Sequence, residues 1–305
     1  MPLAPLALFV FNRPEHTKRT IDALLANPEI TETPVFVFAD GPRTHGETSL
    51  VARTRAVVRE SGFRNLTVLE RDQNFGLARS IIHGVGDLCE RFGRVIVLED
   101  DLVVSHSFLR FMNAALERYA EDNRVYHVSG YMFPVDALTN DEVVFLPFVN
   151  PWGWGTWKRA WGRFDPSARA FGHLKAHRAL RRRFDFGGSF FFYRMLEAQQ
   201  AGRVDSWFIR WNLSVFVSRG MAVYPAISLV QNTGFGVGAT HTAAPDFRFM
   251  LATAHEHFPK RFQEPAFDKS ALSRIRRFLW WDTSRTLTRV RRLARAVVRF
   301  FRGAP

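Results

Sequence analysis

The sequence carries three consecutive acidic residues, Glu99, Asp100 and Asp101, directly after the apolar run Val95–Leu98. Carboxylates packed side by side repel one another and raise one another's pKa, so this cluster is costly at the end of a buried strand unless a cation lies there. A hard divalent ion is the simplest compensation. Mg²⁺ and Mn²⁺ prefer oxygen ligands, and Mg²⁺ takes one or two protein carboxylates beside substrate phosphates and water. The cluster therefore predicts a metal site for a diphosphate substrate, with a solvated acidic turn as the alternative.

The elements that position this cluster follow from the first 130 residues, in which short apolar runs alternate with amphipathic segments. This is the pattern of strand-helix units around a parallel sheet covered by helices on both faces. The predicted strands are Leu6–Phe11, Val35–Ala39, Leu66–Leu69 and Val95–Leu98. The predicted helices are Glu15–Asn27, Glu47–Glu60, Gly76–Arg91 and Ser105–Ala120, with Ser105 as N-cap. Right-handed crossovers bring the strand ends to one edge of the sheet, where α/β proteins bind ligands.

The composition and charge of the chain exclude several classes of protein. A single cysteine, Cys89, excludes a disulfide framework and a thiolate zinc site. The start of the sequence lacks the features of a signal peptide, so we expect a cytoplasmic protein. The net charge is +13, of which residues 271–305 carry +9 through ten arginines and one aspartate. The remaining body is nearly balanced, so we expect no nucleic-acid partner.

Residues 95–131 resemble the Glu-Asp-Asp segment of the animal N-acetylglucosaminyltransferase of complex N-glycan synthesis. More broadly they resemble nucleotide-sugar glycosyltransferases of the GT-A fold, including bacterial family 2. The similarity extends weakly over residues 4–245. Three further matches follow predicted strands, namely residues 11–14 (FNRP), 39–41 (ADG) and 74–79 (NFGLAR). The resemblance implies a GT-A, Rossmann-like α/β fold with a mainly parallel sheet.

The resemblance also implies roles for individual residues. Arg13 would approach the nucleotide or its phosphates, and Asp40 would accept hydrogen bonds from a uracil-like base, which favours a UDP-sugar. Glu99 and Asp100 would contact the ribose or the donor sugar, and Asp101 would bind Mn²⁺ or Mg²⁺ directly. A guanidinium independently suits phosphate geometry. An ordinary turn remains the alternative for Asp40.

Three more residues are candidates for the donor site, and each also has a purely structural explanation. Asn74 and Arg79 lie at the start of the third helix, at the binding edge of the sheet. The alternative is that Asn74 is only a helix cap and Arg79 only a surface arginine. His241 lies near the end of the Gly-rich stretch 232–242, after its last glycine, Gly238. Some GT-A enzymes bring a histidine from this region onto the metal or the diphosphate, although a loop histidine is the alternative.

The second half supplies candidates for the acceptor side. Trp152 and Trp154 lie among glycines, and the apolar faces of sugars stack on tryptophan, although core packing is the alternative. Inverting transfer needs a base for the acceptor hydroxyl. Asp205 is our candidate because it lies where the resembling transferases carry a Trp-Asp-Asp-Trp motif. The match to that motif is incomplete, and the alternative is that Asp205 only caps a helix. Asp185 and Asp165 are the other candidates for the base.

The C-terminal tail, residues 269–305, predicts a basic amphipathic helix. On a helical wheel the arginines and the apolar residues of 284–302 separate onto two faces, and Trp280 and Trp281 precede them. Such a helix suits the surface of an anionic membrane, which residues 272–302 would contact. Docking on the domain itself, on a partner subunit or on RNA is the alternative.

Together these patterns predict a GT-A domain over residues 1–268, with a nucleotide-binding half (1–130) and an acceptor half (131–268). The predicted activity is a metal-dependent, inverting transfer of a hexosyl or N-acetylhexosaminyl group from a nucleotide diphosphate sugar to a glycan or lipid-linked glycan. We expect it to serve bacterial surface-glycan synthesis on the inner face of the cell membrane. The alternatives are a sugar-1-phosphate nucleotidyltransferase and a non-catalytic carbohydrate-binding protein.

Overall fold

A mixed β-sheet forms the centre of the protein. The computed structural model describes residues 2–135, 141–234 and 254–280. Within these ranges eight strands form one sheet in the order β3-β2-β1-β4-β8-β6-β9-β7, and β5 pairs with β10 in a separate ribbon. The strands are β1 (Leu6–Val10), β2 (Val35–Ala39), β3 (Leu66–Glu70), β4 (Arg94–Glu99), β5 (Leu102–Val104), β6 (Val125–Ser129), β7 (Val144–Leu146), β8 (Trp154–Trp157), β9 (Met221–Tyr224) and β10 (Val230–Asn232).

Helices connect these strands and cover both faces of the sheet. They are α1 (Pro14–Leu25), α2 (Thr48–Arg59), α3 (Leu77–Phe92), α4 (Phe108–Arg118), α5 (Lys158–Trp161), α6 (Phe171–Ala176), α7 (Arg178–Phe184), α8 (Phe192–Gln200), α9 (Trp207–Val217) and α10 (269–280). Ser105 was wrongly predicted as the cap of α4. The helix begins three residues later, and the hydroxyl of Ser105 contacts that of Ser107 instead.

The first four sheet strands are parallel, as their continuous apolar runs predict. β1 pairs with both β2 and β4, so the chain after each of these three strands emerges at one edge of the sheet. In the second half β8 runs antiparallel to both β4 and β6, and β7 antiparallel to β9, while β6 and β9 are parallel to each other. Six of the eight strands described in this sheet therefore run in one direction, in keeping with the mainly parallel prediction. The sheet is mixed. Its parallel half brings the ends of β1, β2 and β4 together.

The acidic cluster lies in the tight turn between β4 and β5. The antiparallel pairing of β5 with β10 opposes Leu102 to Asn232, so the residues after β10 lie beside this turn. The N–H of Thr233 donates to the backbone carbonyl of Asp101 over 2.8 Å. A segment more than 130 residues downstream is thereby fixed against the end of β4.

The C-terminal helix α10 packs on the core through Ala271, Ile275 and Leu279, whose spacing of four residues makes one buried stripe. None of the helices in the described part of the chain combines the length and apolarity needed to cross a bilayer. The predicted tail helix beyond residue 280, including Trp281, lies outside the described residues.

Candidate active site

A cleft of about 800 Å³ opens at the carboxyl ends of β1, β2 and β4. Its walls include the start of α1, the loops after β2 and β4, and the chain following β10. Seven of the sequence-predicted site residues line it, namely Arg13, Asp40, Asn74, Glu99, Asp100, Asp101 and Trp152, and so does the base candidate Asp205. The volume is in the range typical of small-molecule sites in proteins.

Arg13 and Asp101 form an ion pair at the floor of the cleft. Nη1 of Arg13 lies 2.9 Å from Oδ2 of Asp101, and each side chain is only 18% exposed. The other terminal nitrogen of Arg13 donates to the carbonyl of Gly234 over 3.3 Å and lies 3.1 Å from Nε2 of His16. One guanidinium therefore joins the loop after β1, the acidic turn and the chain after β10.

Gly234 approaches Asp101 so closely that a side chain would not fit. A Cβ built on Gly234 would lie 2.6 Å from Cγ of Asp101, well inside ordinary van der Waals contact. The absence of a side chain here lets the backbone lie against the carboxylate.

The three acidic side chains are poorly compensated for their burial. Burial raises the pKa of Glu99 well above its ordinary value, Asp101 and Asp100 add to the increase, and a hydrogen bond with Trp207 opposes it. Burial and the neighbouring Asp101 also raise the pKa of Asp100, against the effect of Arg13. Burial raises the pKa of Asp101, although Arg13 and His16 lower it. Arg13 opposes the increase at Asp100 and Asp101 only in part, so this part of the cleft favours a further positive charge.

The side chains at the floor of the cleft suit a cation whose ligands come mainly from the substrate. Across residues 2–135, 141–234 and 254–280, no three His, Cys, Asp or Glu side chains are grouped so as to hold a metal ion alone. Asp101 can supply one carboxylate, whose oxygens have lone pairs beyond the one that accepts from Arg13. Mg²⁺ commonly binds through one or two carboxylates, with phosphates and water as the other ligands. His241 lies outside the described residues.

Asp40 ties two walls of the cleft together. Its Oδ1 accepts from the N–H groups of Gly41 and Phe75, at 3.0 and 2.8 Å, and its Oδ2 accepts from that of Gly76 at 2.9 Å. Asn74 adds a hydrogen bond of 2.9 Å from its amide to the carbonyl of Gly41. The loop after β2 is thus fastened to the start of α3, and both oxygens of Asp40 are engaged with backbone in this structure.

Arg79 does not line the cleft, and in this the structure corrects the prediction. Its guanidinium lies 4.3 Å from the ring centroid of Phe75, and that of Arg71 lies 4.2 Å from the same centroid. Arg79 thus packs on an aromatic side chain at the start of α3.

The two candidate tryptophans differ. Trp152 lines the cleft and packs edge-to-face on Tyr131, with ring centroids 4.7 Å apart. Trp154 is fully buried in β8, stacked on Trp207 at 4.8 Å and on His127 at 5.2 Å. Trp154 is therefore a core residue, and its predicted place at the sugar site is wrong.

Asp205 stands at the cleft immediately before α9. Its side chain is 66% exposed, and Oδ1 accepts from Nη2 of Arg210 at 2.7 Å. The cap of α9 is Ser206, whose hydroxyl accepts from the N–H of Ile209 at 3.4 Å, so Asp205 is not the capping residue. Asp165 and Asp185 lie off the cleft and accept backbone N–H groups.

Sequence reasoning missed His16. It lies three residues after Arg13 in α1, and this spacing places two residues on one helix face, so the pattern could have revealed it. Burial lowers the pKa of His16, as do Arg13 and Arg19, which favours the neutral imidazole that can accept from Arg13.

Comparisons with known proteins show distant likeness only. No protein-family model matches the chain, and no curated protein matches it. A mannosyltransferase, PcManGT from Pyrobaculum calidifontis in complex with GDP-Man and Mn²⁺, is 13% identical with a TM-score of 0.37, over 71% of this chain and 74% of that one. The structure of S. aureus TarS 1-349 is 12% identical with a TM-score of 0.42, over 75% of this chain. The match spans 60% of the TarS chain. At such scores neither likeness carries an argument about the activity.

Proposed function

We propose that this protein is a glycosyltransferase that moves a sugar from a nucleotide diphosphate sugar to a hydroxyl acceptor, assisted by a divalent cation. The observation that carries the proposal is the floor of the cleft, where Arg13 pairs with Asp101 beside two further carboxyl groups, those of Glu99 and Asp100, at the end of a parallel strand. This arrangement suits a ligand that brings both phosphates and a cation. Ligands of α/β sheets bind at this edge.

On the donor side, Arg13 would bind the diphosphate through its planar guanidinium. Asp101 would hold the cation, which when bound stabilises the negative charge that develops on the leaving diphosphate. Glu99 and Asp100, next to it, would contact the ribose or the sugar. The hydrogen bonds of Asp40 and Asn74 support a preformed wall for the nucleotide, and a UDP-sugar is the donor that the sequence resemblance favours.

On the acceptor side, Asp205 would take the proton from the acceptor hydroxyl as its oxygen attacks the anomeric carbon. Attack opposite the diphosphate inverts the configuration at that carbon, and a positioned carboxylate suffices as the general base. The high exposure of Asp205 suits a group that must meet an incoming acceptor. Trp152, on the wall of the same cleft, would stack on a sugar ring. A glycan or lipid-linked glycan of a bacterial surface, made at the cytoplasmic face of the membrane, is the acceptor we propose.

Donor binding is tested by thermal shift with UDP-, GDP-, CMP- and dTDP-sugars, each with and without Mn²⁺. One nucleoside diphosphate sugar should raise the Tm only when Mn²⁺ is present, and Asp101→Asn should abolish that increase. Asp87→Asn is the matched control, because Asp87 also pairs with an arginine, over 2.8 Å, but on an exposed helix surface. An increase that persists undiminished in Asp101→Asn would contradict the assignment.

The base is tested separately. Asp205→Asn should retain the donor-dependent Tm increase while turnover falls at least about a hundredfold, the usual contribution of a general base. Release of the nucleoside diphosphate in the presence of candidate acceptors measures turnover. Near-normal turnover in Asp205→Asn would remove Asp205 from the mechanism. A reaction that instead requires a nucleoside triphosphate and releases pyrophosphate would identify a nucleotidyltransferase.

A further inference from the structure

A second cavity, of about 520 Å³, lies between α7, the C-terminal end of α9 and α10. None of its lining residues lines the catalytic cleft. Four arginines surround it, Arg182, Arg183, Arg219 and Arg276, over an apolar floor that includes Phe186 and Phe216. We call this cavity the arginine groove. Its described lining contains no acidic residue.

The positive charges of the groove are not used for ion pairs within the described residues. The ion pairs found there all involve other basic side chains. Arg182 donates to the carbonyl of Gly187 over 3.5 Å, and the guanidinium of Arg276 lies 5.0 Å from the ring centroid of Phe186. The nearby Asp268 is engaged with the N–H of Ser270 at the start of α10. The groove therefore offers a concentrated positive potential to an outside anion.

Arg219 occupies a backbone position that normally belongs to glycine. Its φ of 53° is left-handed, and it follows the last turn of α9. The N–H of Gly220 donates to the carbonyl of Val215 at 2.9 Å, and that of Arg219 to the carbonyl of Phe216 at 3.1 Å, which is the Schellman arrangement. A side chain here costs conformational energy that glycine would not. Because arginine stands where glycine would be more favourable, we infer that the guanidinium of this residue has a role.

Apolar side chains adjoin the arginines on the solvent side. Leu272, Arg276 and Trp280 follow one another at intervals of four along α10, so they share one face of that helix, beside its buried stripe. Trp280 is 55% exposed, and Phe267, which lines the groove, is 44% exposed. Arginines beside exposed aromatic rings are suited to the boundary between the headgroups and acyl chains of a bilayer.

We propose that the arginine groove binds the phosphate headgroups of an anionic phospholipid bilayer, with Phe267 and Trp280 entering the interface beside it. The charge of the groove suits a lipid phosphate, and the exposed rings of Phe267 and Trp280 suit the headgroup level of a bilayer beside it. A bilayer is therefore the occupant we propose, and the test below distinguishes it from a nucleic acid. This proposal is independent of the sugar chemistry in the cleft.

The test is co-sedimentation of the full chain with vesicles of phosphatidylcholine containing about one third phosphatidylglycerol, at about 0.15 M salt. The groove variant combines Arg182→Gln, Arg183→Gln and Arg219→Gly. Each arginine near an anionic surface contributes about fivefold, so binding should weaken about a hundredfold. The control variant removes the same charge from three exposed arginines elsewhere, Arg19→Gln, Arg64→Gln and Arg163→Gln, and should bind within about twofold of the wild type.

Two further measurements keep the outcome clear. Arg219→Gly alone should raise the Tm, because it relaxes a left-handed residue, while it weakens vesicle binding about fivefold. Phe267→Ser should weaken binding to the same vesicles without any change of charge. Equal losses in the groove and control variants would overturn the proposal, since they would show that only net charge matters. Unchanged vesicle binding of the groove variant together with lost binding of a single-stranded RNA would overturn it in favour of a nucleic acid.

Discussion

The contact between Gly234 and Asp101 allows a sharp test of how the cleft works. In Gly234→Ala the new Cβ would lie 2.6 Å from Cγ of Asp101, whereas ordinary contact begins at 3.4 Å. Oδ2 of Asp101, which accepts from Arg13, would lie closer still. The carboxylate must therefore turn away, with its carbon retreating by about 0.8 Å to reach ordinary contact, or the chain after β10 must move away by as much. Either shift disturbs the ion pair of 2.9 Å between Asp101 and Arg13, and the hydrogen bond from Arg13 to the carbonyl of residue 234.

The expected cost falls mainly on activity. A displacement of about 1 Å in a site that positions substrate can lower the rate about a hundredfold, so kcat/KM should fall by about that factor. The free energy of unfolding should fall by only about 1–2 kcal/mol, because the displaced carboxylate can turn toward water in the open cleft. Transfer kinetics and urea unfolding of the same preparation measure the two quantities.

Gly172→Ala is the matched control for this substitution. Gly172 lies within α6, and an added Cβ there would meet nothing within 4 Å. Activity should stay unchanged, and stability should rise by about 0.5–1 kcal/mol because alanine favours helix. If Gly234→Ala retained the kcat/KM of the wild type within about threefold, the position of Asp101 would not govern the reaction, and our view of the cleft floor would be refuted.

Three further predictions concern the surroundings of the cleft. Asp40→Asn should lower the free energy of unfolding by about 1–3 kcal/mol in urea titrations, because backbone N–H groups lose their carboxylate acceptor, whereas Asp87→Asn should change it by less than about 0.5 kcal/mol. Trp154→Ala should destabilise the fold by about 3–5 kcal/mol, while Trp152→Ala should raise the KM for a sugar substrate with a smaller loss of stability, as unfolding and kinetic assays would show. Burial lowers the pKa of His127 to about 3, from an ordinary 6.5, so the unfolded chain binds a proton that the folded chain does not, and stability is lost as the pH falls from 6.5 toward 3. Between pH 6.5 and 5 this loss amounts to about 1.6 kcal/mol. Urea titrations at several pH values should show a flatter dependence in His127→Gln, and an equal slope in both proteins would contradict this account.

The strands that carry the cleft were readable from the sequence because their apolar residues are contiguous. Val35–Ala39 forms the predicted strand, and the acidic cluster ends another, because a strand buried on both faces leaves little ambiguity in its apolar pattern. The strands of the second half have only three or four residues, as in Val144–Leu146, and too few alternations for a periodic signal. The antiparallel insertion of β8 between β4 and β6 was therefore not predicted.

The candidate site was readable only in part. Arg13 and Asp101 meet because parallel strands deliver both to one edge, which the order of elements already implies. The sequence around Trp152 and Trp154 does not reveal which of them lines the cleft and which is in the core. Both tryptophans lie next to glycines, and this pattern is the same for a residue that faces a ligand and for one that is buried. The approach of Gly234 to Asp101 depends on the pairing of β5 with β10, a contact across 133 positions that no local pattern encodes.

The ion pair between Arg13 and Asp101 at the floor of the cleft couples the binding of two ligands, a diphosphate and a cation. Without a ligand, Arg13 neutralises Asp101, so each is the other's counter-ion. On the proposed function, an incoming diphosphate competes for Arg13 and thereby liberates the carboxylate for a cation, and an incoming cation liberates the arginine for the phosphates. By thermodynamic reciprocity, each ligand must then tighten the binding of the other by the same factor.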